Sequence, residues 1–138
     1  MTTIAEGWRR GKLKLPASSQ EAADDLQVTT IRMFRANDDA AAVEMFPGVV
    51  RRTLNSGDRT TLIEVTLARD AVVPSHTHPH EQVGYVASGR VRFEIDGEER
   101  ELHAGDSYLI PGGVSHEVTA LEPSVCIDVF SPVREEYL

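Results

Sequence analysis

An all-β antiparallel barrel or sandwich behind an N-terminal extension is the fold this sequence predicts, and three observations predict it. From Val49 onward, short runs rich in β-branched and aromatic residues recur with turn residues between them. The turns are short and carry Gly, Pro, Asn or Asp, so consecutive runs are joined as hairpins rather than through crossover helices. The chain has 138 residues, 41% hydrophobic and 26% charged, which is enough for one domain with its own core and too little for two.

The runs follow in order. VVRRTL (49–54) leads into the turn Asn55-Ser56-Gly57-Asp58, and TLIEVTLA (61–68) is followed by a segment through His76 and His78. QVGYVA (82–87) turns at Ser88-Gly89 into VRFEID (91–96), and Asp96-Gly97 signals a tight hairpin into a further short strand. Ala104-Gly105-Asp106 turns the chain into SYLI (107–110), Pro111-Gly112-Gly113 turns it into SHEVTA (115–120), and SVCIDVF (124–130) closes the series. The boundary is placed at Pro47-Gly48, with residues 47–138 as barrel and 1–46 as extension. In the extension, Ser18, Ser19 and Gln20 precede one helical turn over Glu21–Leu26. Val28–Phe34 (VTTIRMF) alternates as a strand. Its apolar Val28, Met33 and Phe34 need cover, which a terminal strand finds on a second subunit, so a homodimer is expected.

Charge and cysteine usage narrow the partners. Twenty-two acidic residues against 14 basic give a net charge of -8, which disfavours a phosphate backbone as ligand. Arg9, Arg10, Lys12 and Lys14 form a basic cluster that reads as a solvated arm. The single cysteine, Cys126, permits no intrachain disulfide and fits a reducing compartment. No apolar run approaches the ~20 residues of a membrane span, and no apolar leader stands at the N-terminus, so a cytoplasmic protein with a small-molecule substrate is expected.

The histidines are the informative feature. His76, His78 and His80 stand at alternate positions, and His116 arrives from a later strand, while His103 lies beside a turn and is expected to be exposed. Two residues apart on a strand share a face, so His76 and His78 can offer two imidazoles to one cation. Gln82 can add a neutral oxygen and His116 a third nitrogen, leaving open positions for substrate or water. Pro79 argues against a continuous strand at His80, which is either a further ligand, a catalytic neighbour or a solvated residue. Glu81 reads as solvated.

These residues resemble the two motifs of a single-domain cupin. His76, His78, Gln82 and Gly89 match the first motif in spacing, and Gly105, Pro111, Gly113 and His116 match the second, with 15 residues between Gly89 and Gly105. The resemblance implies a double-stranded β-helix, or jelly-roll, barrel and one divalent metal held by His76, His78, Gln82 and His116. Zinc is the first expectation for non-redox chemistry, and nickel, iron, manganese or copper also suit such donors. Gln82 stands where cupins usually carry Glu, and a neutral ligand leaves the metal a stronger Lewis acid. Ala120 replaces a non-ligand Asn of the longer motif.

Alternation on the last strand places Cys126, Asp128 and Phe130 on one face and Val125, Ile127 and Val129 on the other. Outward, Asp128 is a solvated carboxylate; inward, it is a buried one able to move a proton. Arg134 is equally a solvated C-terminal residue or a clamp for a substrate carboxylate. HTHPHEQVGYVASGR and CIDVFSPVREEYL are similar to the pectin-degradation cupins that convert 4,5-unsaturated monouronates to linear keto forms, the likeness spanning roughly Pro47 to Leu138. That resemblance implies an inward Asp128, with Phe130 and Arg134 beside it, and Gly84 and Cys126 are taken as further pocket positions.

The activity expected is metal-dependent, non-redox carbon chemistry, the metal polarising a carbonyl or enol oxygen while Asp128 or a metal-bound hydroxide serves as base. The twelve-to-two excess of Arg over Lys and the Ala and Asp content suit an actinobacterial source, where small cupins of this length act as aromatic polyketide cyclases. A polyketide cyclase performing an aldol-type ring closure is therefore the first specific expectation, and uronate ketonisation is the alternative. A metal-dependent dioxygenase and a non-catalytic metabolite-binding module are the readings from other classes.

Overall fold

The computed structural model describes residues 33–138. The helical turn expected at Glu21–Leu26, the basic cluster and residues 28–32 of the expected strand lie outside the described residues. Met33 and Phe34, its last two positions, belong to no strand, and Phe34 is exposed.

Among the described residues a 3-10 turn, Asn37–Asp39, precedes ten strands: β1 (Ala42–Phe46), β2 (Val49–Ser56), β3 (Thr61–Leu67), β4 (Val72–His76), β5 (Glu81–Ser88), β6 (Arg90–Ile95), β7 (Glu98–His103), β8 (Ser107–Ile110), β9 (His116–Ala120) and β10 (Ser124–Ser131). They form two antiparallel sheets, one of six strands in the order β1-β2-β3-β10-β5-β8 and one of four in the order β4-β9-β6-β7. This is the expected all-β double-sheet barrel, and a 3-10 turn at Glu135–Tyr137 ends it.

Alternation decides which side chains face inward. On β3, Thr61, Ile63, Val65 and Leu67 are buried, and on β5, Gln82, Gly84 and Val86 are. These residues meet Val91, Phe93, Ile110 and Phe130 between the sheets, where the apolar surface removed from water supplies the main stabilisation. Asp96 and Gly97 both take positive φ, 50° and 79°, the pairing a two-residue type I′ hairpin requires, so the sequence signal there is met in backbone geometry.

Two expectations need correction. The boundary after Phe46 falls inside a hairpin: β1 pairs with β2 from Ala42↔Arg52 to Phe46↔Val49, so the six-stranded sheet already includes Ala42. The strand carrying His76 stops there, and His78 lies in the connection to β5. Pro74 accounts for part of this: β4 is an edge strand, and its ladder with β9 shifts register between Val73 and His76, where a residue without an N–H is tolerated.

Candidate metal centre and adjoining cavity

Three elements deliver three imidazoles to one place. His76 ends β4 and His116 begins β9, and the two are register partners. His78 comes from the β4–β5 connection, whose backbone is pinned where Gly113 N donates to His78 O at 2.8 Å. Ring centroids stand 4.2 Å apart for His76 and His116 and 4.8 Å for His78 and His116, and the candidate ligand atoms of all three lie within 4.8 Å of one another.

The hydrogen bonds fix which nitrogen of each ring is free. His76 Nδ1 lies 2.8 Å from Pro74 O, His78 Nδ1 3.0 Å from His80 O and His116 Nδ1 2.9 Å from Val114 O. A carbonyl only accepts, so each Nδ1 carries the proton and each Nε2 presents a lone pair, the arrangement that metal-binding histidines adopt. Burial lowers the pKa of His78, with the Arg134 charge adding to it, and pushes His116 down to about 4, so both rings stay neutral at pH 7.

Two local features show that the donors fit a cation. His116 Nε2 is buried with no hydrogen-bond partner, an arrangement that costs about 1–3 kcal/mol unless something positive meets the lone pair. Gln82 Oε1 sits 3.0 Å from His78 Nε2 while Gln82 Nε2 donates to Asp128 Oδ1 at 3.0 Å. The reverse orientation would set the amide oxygen against the Asp128 carboxylate. Two acceptors therefore face each other at His78 and Gln82, an arrangement that a shared cation would satisfy. His76, His78 and His116 thus form a cluster that could hold one metal ion, and Gln82 Oε1 stands beside it.

Beside this centre an apolar wall including Ile63, Val65, Leu67 and Val118 encloses a cavity whose polar lining is His76, Gln82, His116, Tyr108, Asp128 and Arg134. Asp128 faces inward at 5% exposure, which decides the question alternation alone left open. Burial raises its pKa to about 6, although hydrogen bonds from Tyr108 and Gln82 and the Arg134 charge pull it down. Arg134 is buried too: its backbone N–H is held by Thr61 Oγ1 at 2.9 Å, and its Nε donates to Glu136 Oε1 at 2.6 Å. Its guanidinium lies 4.0 Å from the Tyr137 ring centroid and 4.8 Å from that of Phe130. Phe130 and Cys126 line the same cavity, and burial, with Asp128 nearby, pushes the Cys126 thiol up to about 12, leaving it protonated.

The remaining candidates fall elsewhere. His80 is buried but stands outside the three-imidazole cluster, its ring centroid 5.6 Å from that of His78, and its Nδ1 has no hydrogen-bond partner among the described residues. His103 is exposed beside Glu101 and Asp106, and Glu81 is exposed. Gly84 is not part of the cavity lining. It is the middle residue of a register row, Tyr108–Gly84–Asp128, and a Cβ there would collide with the Tyr108 ring and the Asp128 carboxylate. Gly84→Ala is accordingly expected to cost about 1–3 kcal/mol by overpacking. A thermal melt checks it: a variant as stable as the parent would mean that Tyr108 and Asp128 do not meet over Gly84.

Two functional candidates escaped sequence reading. Tyr108 donates to Asp128 Oδ1 at 2.6 Å, and burial, followed by the Asp128 charge, raises its pKa well above the usual value, so it stays a donor. The alternation of SYLI, with Tyr108 and Ile110 inward, is the signal that could have found it. Tyr137 lines the cavity, and Thr53 Oγ1 donates to its carbonyl at 2.6 Å, a contact across 84 positions that no local pattern announces.

The chain matches the model of the Cupin domain over residues 63–130. It is also 34% identical over 110 residues to the pectin degradation protein KdgF of Dickeya dadantii (strain 3937), covering 78% of this chain and 100% of that protein. The chain belongs to the cupin family. Among solved structures, KdgF from Halomonas sp. superposes on this cupin with a TM-score of 0.73 at 35% identity, over 78% of this chain and 99% of that one. An RmlC-like cupin from Shewanella frigidimarina superposes with a TM-score of 0.74 at 28% identity, over 78% and 96%.

Proposed function

We propose that this cupin is an isomerase that opens 4,5-unsaturated monouronates to their linear keto forms. The observation that carries the reading is the joint burial of Asp128 and Arg134 in a cavity beside the histidine triad, in a chain 34% identical to a pectin degradation protein. A uronate needs a cation for its carboxylate, and a hemiacetal that must open needs a group to take a proton. This cavity supplies one of each.

A divalent cation bound by His76, His78, His116 and Gln82 supplies Lewis-acid polarisation of a substrate oxygen. The chain's own residues do the rest. The Arg134 fork, with Nε engaged by Glu136, turns its terminal nitrogens to the substrate carboxylate. Asp128 takes the proton of the C1 hydroxyl as C1=O forms and the bond from C1 to the ring oxygen breaks. The electron pair stays on the ring oxygen as the C5 enolate, and the proton is returned at C4, leaving a C5 ketone. Product and substrate are isomers, and Asp128 ends as it began. The apolar wall and Tyr137 keep water away from the enolate.

The polyketide-cyclase expectation rested on length and composition, and no residue of the cavity favours it over the uronate. The test is direct: incubate the metal-loaded protein with an unsaturated monouronate and follow loss of the ultraviolet absorbance of its conjugated double bond, with the linear product identified by NMR. A rate no faster than buffer alone, beside cyclisation of a poly-β-ketone, would replace the isomerase with the cyclase.

A further inference from the structure

Asp128 is held through one oxygen only. Tyr108 Oη donates to Oδ1 at 2.6 Å and Gln82 Nε2 donates to the same Oδ1 at 3.0 Å. Oδ2 takes no hydrogen bond among the described residues, although the residue is 5% exposed and lines the cavity. A carboxylate with both lone pairs of one oxygen occupied and the other oxygen free has a defined reactive atom and a fixed plane. Gln82 meanwhile uses both ends of its amide, Oε1 toward His78 Nε2 and Nε2 toward Asp128. Alternate register rows, Ile110–Gln82–Phe130 and Tyr108–Gly84–Asp128, place these groups on one face, and the missing side chain at Gly84 is what lets Tyr108 reach Asp128.

We propose that Gln82 is a connector, a positioning residue whose oxygen faces the metal position while its N–H, with the Tyr108 hydroxyl, locks Asp128 so that Oδ2 alone meets the substrate. This role rests on Asp128 being the group that moves the proton in the isomerase reading. Position 82 must then be both acceptor and donor. A carboxylate there still offers an oxygen to a metal but has no N–H for Asp128, and sets two acceptors about 3 Å apart in a buried site. His78 and Gln82 are joined to Asp128 by a chain of side-chain contacts, so a change of ligand at 82 is felt at the base.

A hydrogen-bond swap tests this on the full-length chain. Combining Gln82→Glu with Asp128→Asn can rebuild the contact with roles reversed: the new amide at position 128 donates one N–H to the new carboxylate at position 82 and the other to the Tyr108 oxygen, whose own proton turns to Cys126. Gln82→Glu is expected to lower the Tm of the chelator-treated protein by roughly 5 °C, Asp128→Asn to change it less, and the double variant to regain at least half of the loss. Elemental analysis of Gln82→Glu should still find metal, and on the uronate its kcat should fall at least tenfold with KM unchanged. Additive effects in the double variant, or Gln82→Glu melting like the parent, overturn the connector. If the parent turns over no uronate, the isomerase reading fails, and the Tm cycle still decides the connector by itself.

Discussion

Asp128→Asn should lower kcat on the uronate by about 10²–10⁴-fold, the range that one positioned proton-transfer group contributes, while metal content and the melting profile stay near those of the parent. The reason for so selective a loss is steric. Asn has the shape of Asp, and its amide oxygen can stay where Oδ1 now accepts from Tyr108 and Gln82. Only the charge and the free oxygen disappear, and an amide cannot take a proton near neutral pH. Because the carboxylate is buried between Ile63 on β3 and Gly84 on β5, no solvated carboxylate takes its place from the bulk. Steady-state kinetics with metal analysis of the same preparation checks this, and a variant with full turnover would remove Asp128 from the chemistry.

The same residue shows where sequence reading stops. Alternation assigns Cys126, Asp128 and Phe130 to one face, but the opposite face carries Val125, Ile127 and Val129, so hydrophobicity alone cannot say which looks inward. The answer lies on other strands: Tyr108 and Gln82 supply the donors that make a buried carboxylate tolerable, and neither is near it in sequence. The histidines were legible because each stands in a short motif readable by itself. His76 and His116, though 40 positions apart, each begin or end a strand beside a Pro- or Gly-bearing turn. Strand alternation does not explain how His78 joins them, since His78 sits beyond the end of β4 rather than on one face with His76.

The strands followed the same division. Runs flanked on both sides by paired strands, such as β3 and β5, show strict alternation and were placed within a residue or two. β1 did not register because it is an edge strand preceded by an Ala- and Asp-rich stretch of low β propensity, and most of its side chains are exposed. Its pairing with β2 comes from the Pro47-Gly48 turn, Gly48 taking φ of 76°, which sequence reading used as a boundary instead of a hairpin.

Removing one imidazole tests the centre from the other side. His116→Ala should take the protein from about one equivalent of divalent metal per chain to almost none after dialysis. A lost hydrogen-bond partner of a metal ligand costs about 10–100-fold in affinity, and the loss of a ligand should exceed that. His116 is the sharpest position because its Nε2 is buried without a partner and its Nδ1 is already bound to Val114 O, so the ring has no other work among the described residues. Two controls separate ligation from the general effect of removing a histidine. His103→Ala takes away an exposed imidazole at the end of β7 and should keep its metal. His80→Ala should keep it as well, since His80 stands outside the triad; metal loss there would make it a fourth nitrogen and displace Gln82 from the donor set. In a thermal melt, added metal at 100 times its dissociation constant should stabilise the parent by roughly 2.7 kcal/mol and leave His116→Ala unmoved. The elemental analysis that counts the metal also identifies it: zinc accords with an isomerisation that involves no electron transfer, and iron would call for repeating the turnover assay with and without oxygen.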